Sequence, residues 1–298
     1  MRFYSCGKLL LTGEYLVLNG ALALALPTKF GQDLNLISNK SNLIKWKSIN
    51  RSGDIWFECE LDKDNLNIIR TNSKKISNII LRILKKIRES NNEFLKSTGS
   101  IITTNLSFDK EWGLGSSSSL IYNISKAAKI DPFELNNKIF NGSGYDIACA
   151  AENSPILYQL IEDKREITKV NFNPPFKNNL FFVYLNKKQN SKKEVKKYSK
   201  IGFSNSAMSE VSYISNRILT CQTLKDFNYL IFSHEKIISN LISRNTIKDS
   251  FFYDFNGEIK SLGAWGGDFI LVSSLTNPTS YFKKKGFKTI FKFDDLIC

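Results

Sequence analysis

The sequence predicts a mixed order of strands and helices, compatible with an α+β protein of two domains. Candidate strands and amphipathic helices alternate along the chain instead of falling into one class. The length, 298 residues, suits one large or two medium domains with a sizeable core. A charged stretch over 162–179 that ends in Pro174-Pro175 interrupts the pattern. It sets the expected boundary, with domains over 1–170 and 171–298.

The elements follow in chain order. Residues 1–37 read as strand, turn, strand, punctuated by Gly13, Gly20 and Pro27, with the apolar window Leu16 to Leu26 as buried strand. Residues 43–61 form a hairpin about Ser52-Gly53-Asp54. Over 76–90 an isoleucine-rich stripe (Ile76, Ile79, Ile80, Ile83, Leu84, Ile87) opposes a Lys/Arg face, which predicts a helix. Ile101 to Leu106 is a strand leading into a glycine-rich loop. Helix, glycine turn and helix then run to about Glu152. Leu180 to Leu185 is a buried strand candidate, helices follow over 204–221 and 224–243, and Phe251–Phe255 and Phe269–Val272 close the chain as strands.

Composition narrows the function classes. The hydrophobic fraction is 42%, ordinary for a globular protein. The formal charge is +14, which fits attraction of anionic nucleotide and substrate, nucleic-acid binding, or simple enrichment in Lys, Asn and Ile. The densest basic run, Lys187 to Lys200, has no interleaved aromatic before Tyr198, so nucleic acid is not an expected partner. Cys6, Cys59, Cys149, Cys221 and Cys298 are scattered, with no Cys-x-x-Cys pair, which argues against a disulfide or zinc framework and for a reducing cytoplasm. No signal peptide is expected behind Arg2, and no apolar window is long enough to span a bilayer. His234 is the only histidine and shares a stripe with Phe227, Leu230, Ile231, Ile238 and Leu241, so it is expected to pack; Ser-His-Asp hydrolysis and zinc chemistry are poor fits.

Residues 113–119, Gly-Leu-Gly-Ser-Ser-Ser-Ser, are the most informative segment. Glycines let the backbone approach a ligand. The serines then open a helix carried by Leu120, Ile124, Ala127 and Ala128, whose unpaired N–H groups and positive dipole end attract phosphate. Serine clusters also make plain N-caps and flexible loops, and the segment alone leaves both open.

Three further segments stand in order around it: Gly7-Lys8-Leu9-Leu10-Leu11-Thr12-Gly13-Glu14-Tyr15, Gly142-Ser143-Gly144-Tyr145-Asp146-Ile147-Ala148 and Ser261-Leu262-Gly263-Ala264-Trp265-Gly266-Gly267-Asp268. Together the four resemble the GHMP kinase family, from Gly7 to Asp268, and the Gly-Tyr-Asp-Ile-Ala run is similar to a subgroup of mevalonate-pathway kinases. The resemblance implies a two-domain α+β fold, with an N-terminal domain like domain 2 of ribosomal protein S5 and a ferredoxin-like C-terminal domain. It implies ATP and Mg2+ as cofactors, a small-molecule partner and no membrane or nucleic acid. A homodimer is a further expectation.

The resemblance also assigns residues. Gly113, Leu114, Gly115, Ser116, Ser117, Ser118 and Ser119 match the ATP-binding motif, and Ser117 matches the serine that helps hold magnesium. Asp146 matches the catalytic aspartate, as base or as positioner of the acceptor hydroxyl; by itself it also reads as a helix cap. Lys8 matches the lysine that stabilises transferring charge and would lower the pKa of Asp146. Glu14, Gly144, Tyr145, Gly263, Ala264 and Gly266 match positions near the substrate, with Glu14 contacting the acceptor hydroxyl or ordering Lys8. Glu134 is the candidate second magnesium ligand, although its spacing is one residue off and a solvated helix position fits equally. Two departures stand out. Trp265 replaces a glycine, so that a ring either closes over a ligand or restricts the loop, and Asp109, Lys110 and Glu111 fill the region where the family places a proline.

The implied activity is ATP-dependent phosphoryl transfer to a small-molecule hydroxyl. Compact length favours mevalonate kinase; Gly13-Glu14-Tyr15, Trp112-Gly113-Leu114-Gly115 and the Gly266-Gly267-Asp268 ending favour phosphomevalonate kinase. Diphosphomevalonate decarboxylase shares the fold. A non-catalytic nucleotide-binding regulatory relative is the alternative from another class, opposed by the joint presence of Lys8, Ser117 and Asp146.

Overall fold

The computed structural model describes residues 1–162, 164–189, 194, 197–198 and 204–298. The chain forms two compact units that interleave in sequence. The first comprises Met1–Gly7, Phe30–Lys110 and Leu114–Ala151; the second comprises Lys8–Lys29, Glu111–Gly113 and Glu152–Cys298. A single cut near residue 170 therefore does not separate them. The first part of the charged stretch expected as a linker is a strand, β8 (Lys164–Lys169), which pairs with β7 (Ile156–Ile161). Strand β2 (Ala23–Asn39) explains the interleaving. Its Ala23–Ala25 end pairs with β7, and its Gln32–Asn39 end pairs with β6 (Gly99–Leu106).

In the first unit, β3 (Leu43–Ile49) and β4 (Ile55–Asp62) form the expected hairpin. The Asn50 side chain accepts from the N–H groups of Ser52 and Asp54, and Gly53 takes φ +91°, a conformation glycine adopts freely. Strand β5 (Ile68–Thr71) flanks β4, and β6 runs parallel to β3. Four helices cover this sheet: α1 (Lys74–Ser90), α2 (Ser116–Ala128), α3 (Pro132–Ile139) and α4 (Tyr145–Ala151). The predicted stripe of α1 buries Ile80, Ile83, Leu84 and Ile87 in a core with Trp46, Phe57, Ile102 and Ile121. Each such side chain contributes about 2 kcal/mol on burial, and Ile83→Ala would cost roughly 2–5 kcal/mol.

The second unit contains the sheet β10-β11-β9-β12, built from β9 (Leu180–Tyr184), β10 (Glu258–Ser261), β11 (Phe269–Ser273) and β12 (Ile290–Lys292), with every pair antiparallel. All five residues of β9 and all five of β11 are buried, as their unbroken apolar runs predict. Helices α5 (Asn205–Leu219) and α6 (Leu224–Ile242) match the two expected stretches. They are capped by Ser204 and Thr223, whose side chains accept from Ala207 and Asp226 N–H. Three short helices complete the unit: α7 (Ile247–Phe251), α8 (Thr279–Lys284) and α9 (Phe293–Leu296).

Two expected strands are replaced. Leu16–Asn19 is a 3-10 turn, because Tyr15 and Gly20 both take positive φ and fold the chain back before β2 begins. Phe251–Phe255 ends α7 and turns, led by the Thr246 cap on Asp249 N–H. The basic run over 187–200 lies mostly outside the described residues. Among the described residues, no helix is long and apolar enough to cross a membrane.

Candidate active site

The glycine-rich segment turns sharply. Gly113 takes φ +71° and Gly115 φ +86°, in the left-handed region where a side chain is strained. Gly115 is the N-cap of α2 and has no side chain with which to cap it. The amides of the first turn are thus left without an intrahelical acceptor at the positive end of a 13-residue helix, as phosphate binding requires. The four serines divide. Ser118 and Ser119 are buried; Ser118 donates to Gly115 O at 2.8 Å and Ser119 to Gln32 Oε1 at 2.8 Å. Their hydroxyls hold the turn. Ser117 is exposed. Leu114 is fully buried and serves as the anchor of the turn.

The start of the turn is gripped within the second unit. Trp112 packs edge-on against Phe269 and Phe291, with ring centroids 6.1 and 5.2 Å away. Tyr184 donates its hydroxyl to Glu111 O at 3.0 Å. Lys8 Nζ donates to Gly113 O at 3.4 Å, which brings a predicted catalytic residue to the predicted nucleotide loop. A Cβ on Gly113 would lie 2.4 Å from Cγ and 2.5 Å from Oδ2 of Asp268, so only glycine fits there.

Asp146 stands in the first turn of α4, which packs against α2 in the first unit. Ala148 N–H bonds to Gly144 O at 3.0 Å, so Gly144, at φ +91°, occupies the cap position and Asp146 follows it. Asp146 Oδ1 accepts from Ile147 N–H at 3.0 Å, and Tyr145 is half-buried beside it. Asp146 is thus the second residue of a short helix behind glycines, a position compatible with contact to a hydroxyl as well as with bonding within the first turn.

Glu134 is placed elsewhere. Its carboxylate accepts from Lys138 Nζ at 2.5 Å on the outer face of α3, with the side chain 57% exposed. It lines a shallow recess with Ile130 and Asp131, which follow the C-terminal end of α2. Ser117 is at the N-terminal end of that helix, about 20 Å away by helical rise. The two do not converge, and Glu134 is a solvated helix residue. Among the described residues there is no group of three or more His, Cys, Asp or Glu able to hold a metal. The exposed Ser117 hydroxyl is the protein group that would face a magnesium ion held otherwise by phosphate and water.

Glu14 is also redirected. It is 1% exposed and accepts from Lys260 Nζ at 2.6 Å; Lys260, itself fully buried, also donates to Ser261 O at 2.8 Å. The neighbouring Glu235 carboxylate accepts from Ser261 Oγ at 2.8 Å and from its N–H. Burial raises the pKa of Glu14 against the pull of Lys260, and burial pushes Glu235 up to about 7. His234 is fully buried, as its stripe predicts, and it does more than pack: Nε2 accepts from Gly13 N–H at 3.0 Å. Burial and the nearby Lys260 hold its pKa well below the usual range, so the imidazole is neutral. The 3.3 Å approach of Glu14 Oε2 to His234 Nε2 is therefore not an ion pair, since the Nε2 lone pair already serves Gly13. Glu14 Oε1 is tied to β10 through Lys260, while its Oε2 has no hydrogen-bond partner among the described residues.

The C-terminal loop is held by the residue after Glu14. Trp265 N–H donates to Tyr15 Oη at 3.0 Å, and its indole Nε1 donates to Asn245 O at 3.1 Å. Trp265 is buried in a cluster with Tyr15, Leu16, Tyr198 and Ile238, so the ring anchors the loop and does not close over a ligand. Ala264 is buried beside it, while Gly263 (φ +74°) and Gly266 (φ +84°) supply the bends. From the sequence, Lys260 and Glu235 carry no role, and Asp268 only closes the Gly266-Gly267-Asp268 run. For Lys260 and Asp268 the available signal was a charged residue at each edge of a glycine-rich motif flanked by apolar strands.

No protein-family model and no curated protein matches the sequence. Solved structures do match. The chain is similar to a mevalonate kinase of Methanococcus jannaschii at 17% identity and TM-score 0.70, over 98% of this chain and 96% of that one. A Streptococcus pneumoniae phosphomevalonate kinase, in complex with phosphomevalonate and AMPPNP, matches at 16% identity and TM-score 0.69, over 99% and 96%. A Lactococcus lactis galactokinase complexed with galactose matches at 14% identity and TM-score 0.66, over 95% and 87%. The chain has the fold shared by these GHMP kinases, along essentially its full length, as the four sequence segments imply.

Proposed function

We propose that this protein transfers a phosphoryl group from ATP to a hydroxyl of a small molecule, with mevalonate as the first acceptor and phosphomevalonate as the second. The observation that carries the reading is the uncapped start of α2 behind two left-handed glycines, in a chain with the fold of GHMP kinases. The amides of Gly115 to Ser118 receive the nucleotide phosphates. Ser117 would hold a magnesium ion through its hydroxyl, and the ion would neutralise phosphate charge. Lys8 supplies positive charge to the transferring group, and Asp146 orients the acceptor hydroxyl and takes its proton. The acceptor oxygen bonds to the γ-phosphorus as the bond to the β–γ bridging oxygen breaks, and ADP leaves.

The phosphomevalonate alternative draws on the Gly266-Gly267-Asp268 ending and on the similarity to the Streptococcus pneumoniae enzyme. The test is coupled ADP release over mevalonate, phosphomevalonate, diphosphomevalonate, homoserine and galactose, with carbon dioxide followed for the third. Acceptor-dependent ADP release with mevalonate, exceeding the others, is expected. ADP release with none of the five, despite nucleotide binding, would replace the kinase reading by the regulatory one.

A further inference from the structure

We propose that Asp268 is a positioning residue of this site: its carboxylate packs against the Gly113 turn whose carbonyl Lys8 holds, so that the turn and the lysine are presented together. The catalytic consequence rests on the kinase reading; the contact itself does not. Asp268 is locked at its own backbone. It takes φ +53°, its N–H donates to Lys187 O at 2.7 Å, and its carbonyl accepts from Leu185 N–H at 2.8 Å. Its Oδ1 accepts from Gln189 N–H at 3.1 Å. That leaves the carboxylate aimed at Gly113, filling the volume a Cβ would take there. Lys8 holds the same residue through its carbonyl. One glycine is thus gripped on its Cα by an anion and on its carbonyl by a cation.

The charged groups facing Asp268 are Lys8, Lys188 and Glu111, and burial outweighs the two lysines, raising its pKa to about 6. Above that pH the carboxylate attracts Lys8; below it the attraction is lost while the shape persists. Asp268→Asn keeps the shape at every pH and removes the charge.

Four readouts test this. In a melting-temperature cycle, Gly113→Ala is strongly destabilising, and Asp268→Gly in the same chain recovers much of the loss, since the clash is removed while alanine strain at φ +71° remains. For turnover, Asp268→Asn lowers kcat by about tenfold to a hundredfold, the scale of a small misplacement of a reacting group. AMPPNP affinity by calorimetry stays equal or tightens, because an anion has left the phosphate loop. The wild-type kcat falls as pH drops through about 6, and the Asn variant lacks that limb. Additive melting losses in the cycle overturn the contact whether or not the wild type turns over. With wild-type turnover present, an Asn variant whose kcat and acid limb overlay the wild type, or one that loses kcat and AMPPNP binding together, overturns the positioning role. Absence of wild-type turnover would instead fall on the kinase reading.

Discussion

Glu14 and Lys260, 246 positions apart in sequence, form a 2.6 Å hydrogen-bonded ion pair with both side chains sealed from solvent. A buried pair of this kind adds little net stability, but removing one partner strands the other charge. Glu14→Gln is therefore expected to lower unfolding free energy by about 3–5 kcal/mol. The double variant Glu14→Gln/Lys260→Met should recover most of it. Urea unfolding of the two variants checks this. A single variant no less stable than the double would contradict the pairing and return Glu14 to the substrate.

Glu235 should make stability depend on pH in an unusual direction. Its folded pKa, about 7, exceeds the model-compound value of 4.5. The folded state binds the proton more tightly, so this group's stabilisation is complete below 4.5 and is lost as pH rises to about 7. The slope is at most about 1.4 kcal/mol per pH unit within that window. Asp268 acts in the same sense between 3.8 and about 6. His234, held neutral, acts oppositely, losing stability as pH falls below 6.5. Comparing wild type with Glu235→Gln isolates the first contribution: their unfolding free energies should converge or cross as pH rises from 5 to 8. Parallel curves would show that Glu235 does not titrate there.

The magnesium assignment separates two candidates by position. Ser117→Ala should lower turnover and raise the magnesium concentration for half-maximal rate, because the hydroxyl is exposed at the first turn of α2. Glu134→Gln should leave both unchanged, since that carboxylate is occupied by Lys138 on the outer face of α3. Magnesium titrations of steady-state rate decide the point. A raised requirement in Glu134→Gln with none in Ser117→Ala would reverse the assignment.

Local signals were legible where one segment determines its own structure. The α1 stripe, the Ser52-Gly53-Asp54 hairpin and the all-apolar β9 and β11 follow from period and turn chemistry. The left-handed turn into α2 was legible because its glycines and helix start are contiguous. Failures came where distant residues decide. Leu16–Asn19 is apolar enough for a strand, but the positive φ of Tyr15 and the His234 acceptor for Gly13 fold it into a turn. The interleaved units depend on β2 pairing with different strands at its two ends. Glu14 meets Lys260 across 246 positions and Asp268 meets Gly113 across 155, so neither contact is legible within one segment.

The central claim is that Asp146 activates an acceptor hydroxyl for phosphoryl transfer. The most direct measurement is kcat of Asp146→Asn beside its AMPPNP affinity, on folded protein and with the acceptor that supports wild-type ADP release. The account predicts a fall in kcat of about 100-fold or more, the scale of a positioned acid–base group, with nucleotide affinity little changed. Near-wild-type kcat in Asp146→Asn would contradict it and leave Asp146 as a residue of the α4 first turn and nothing more.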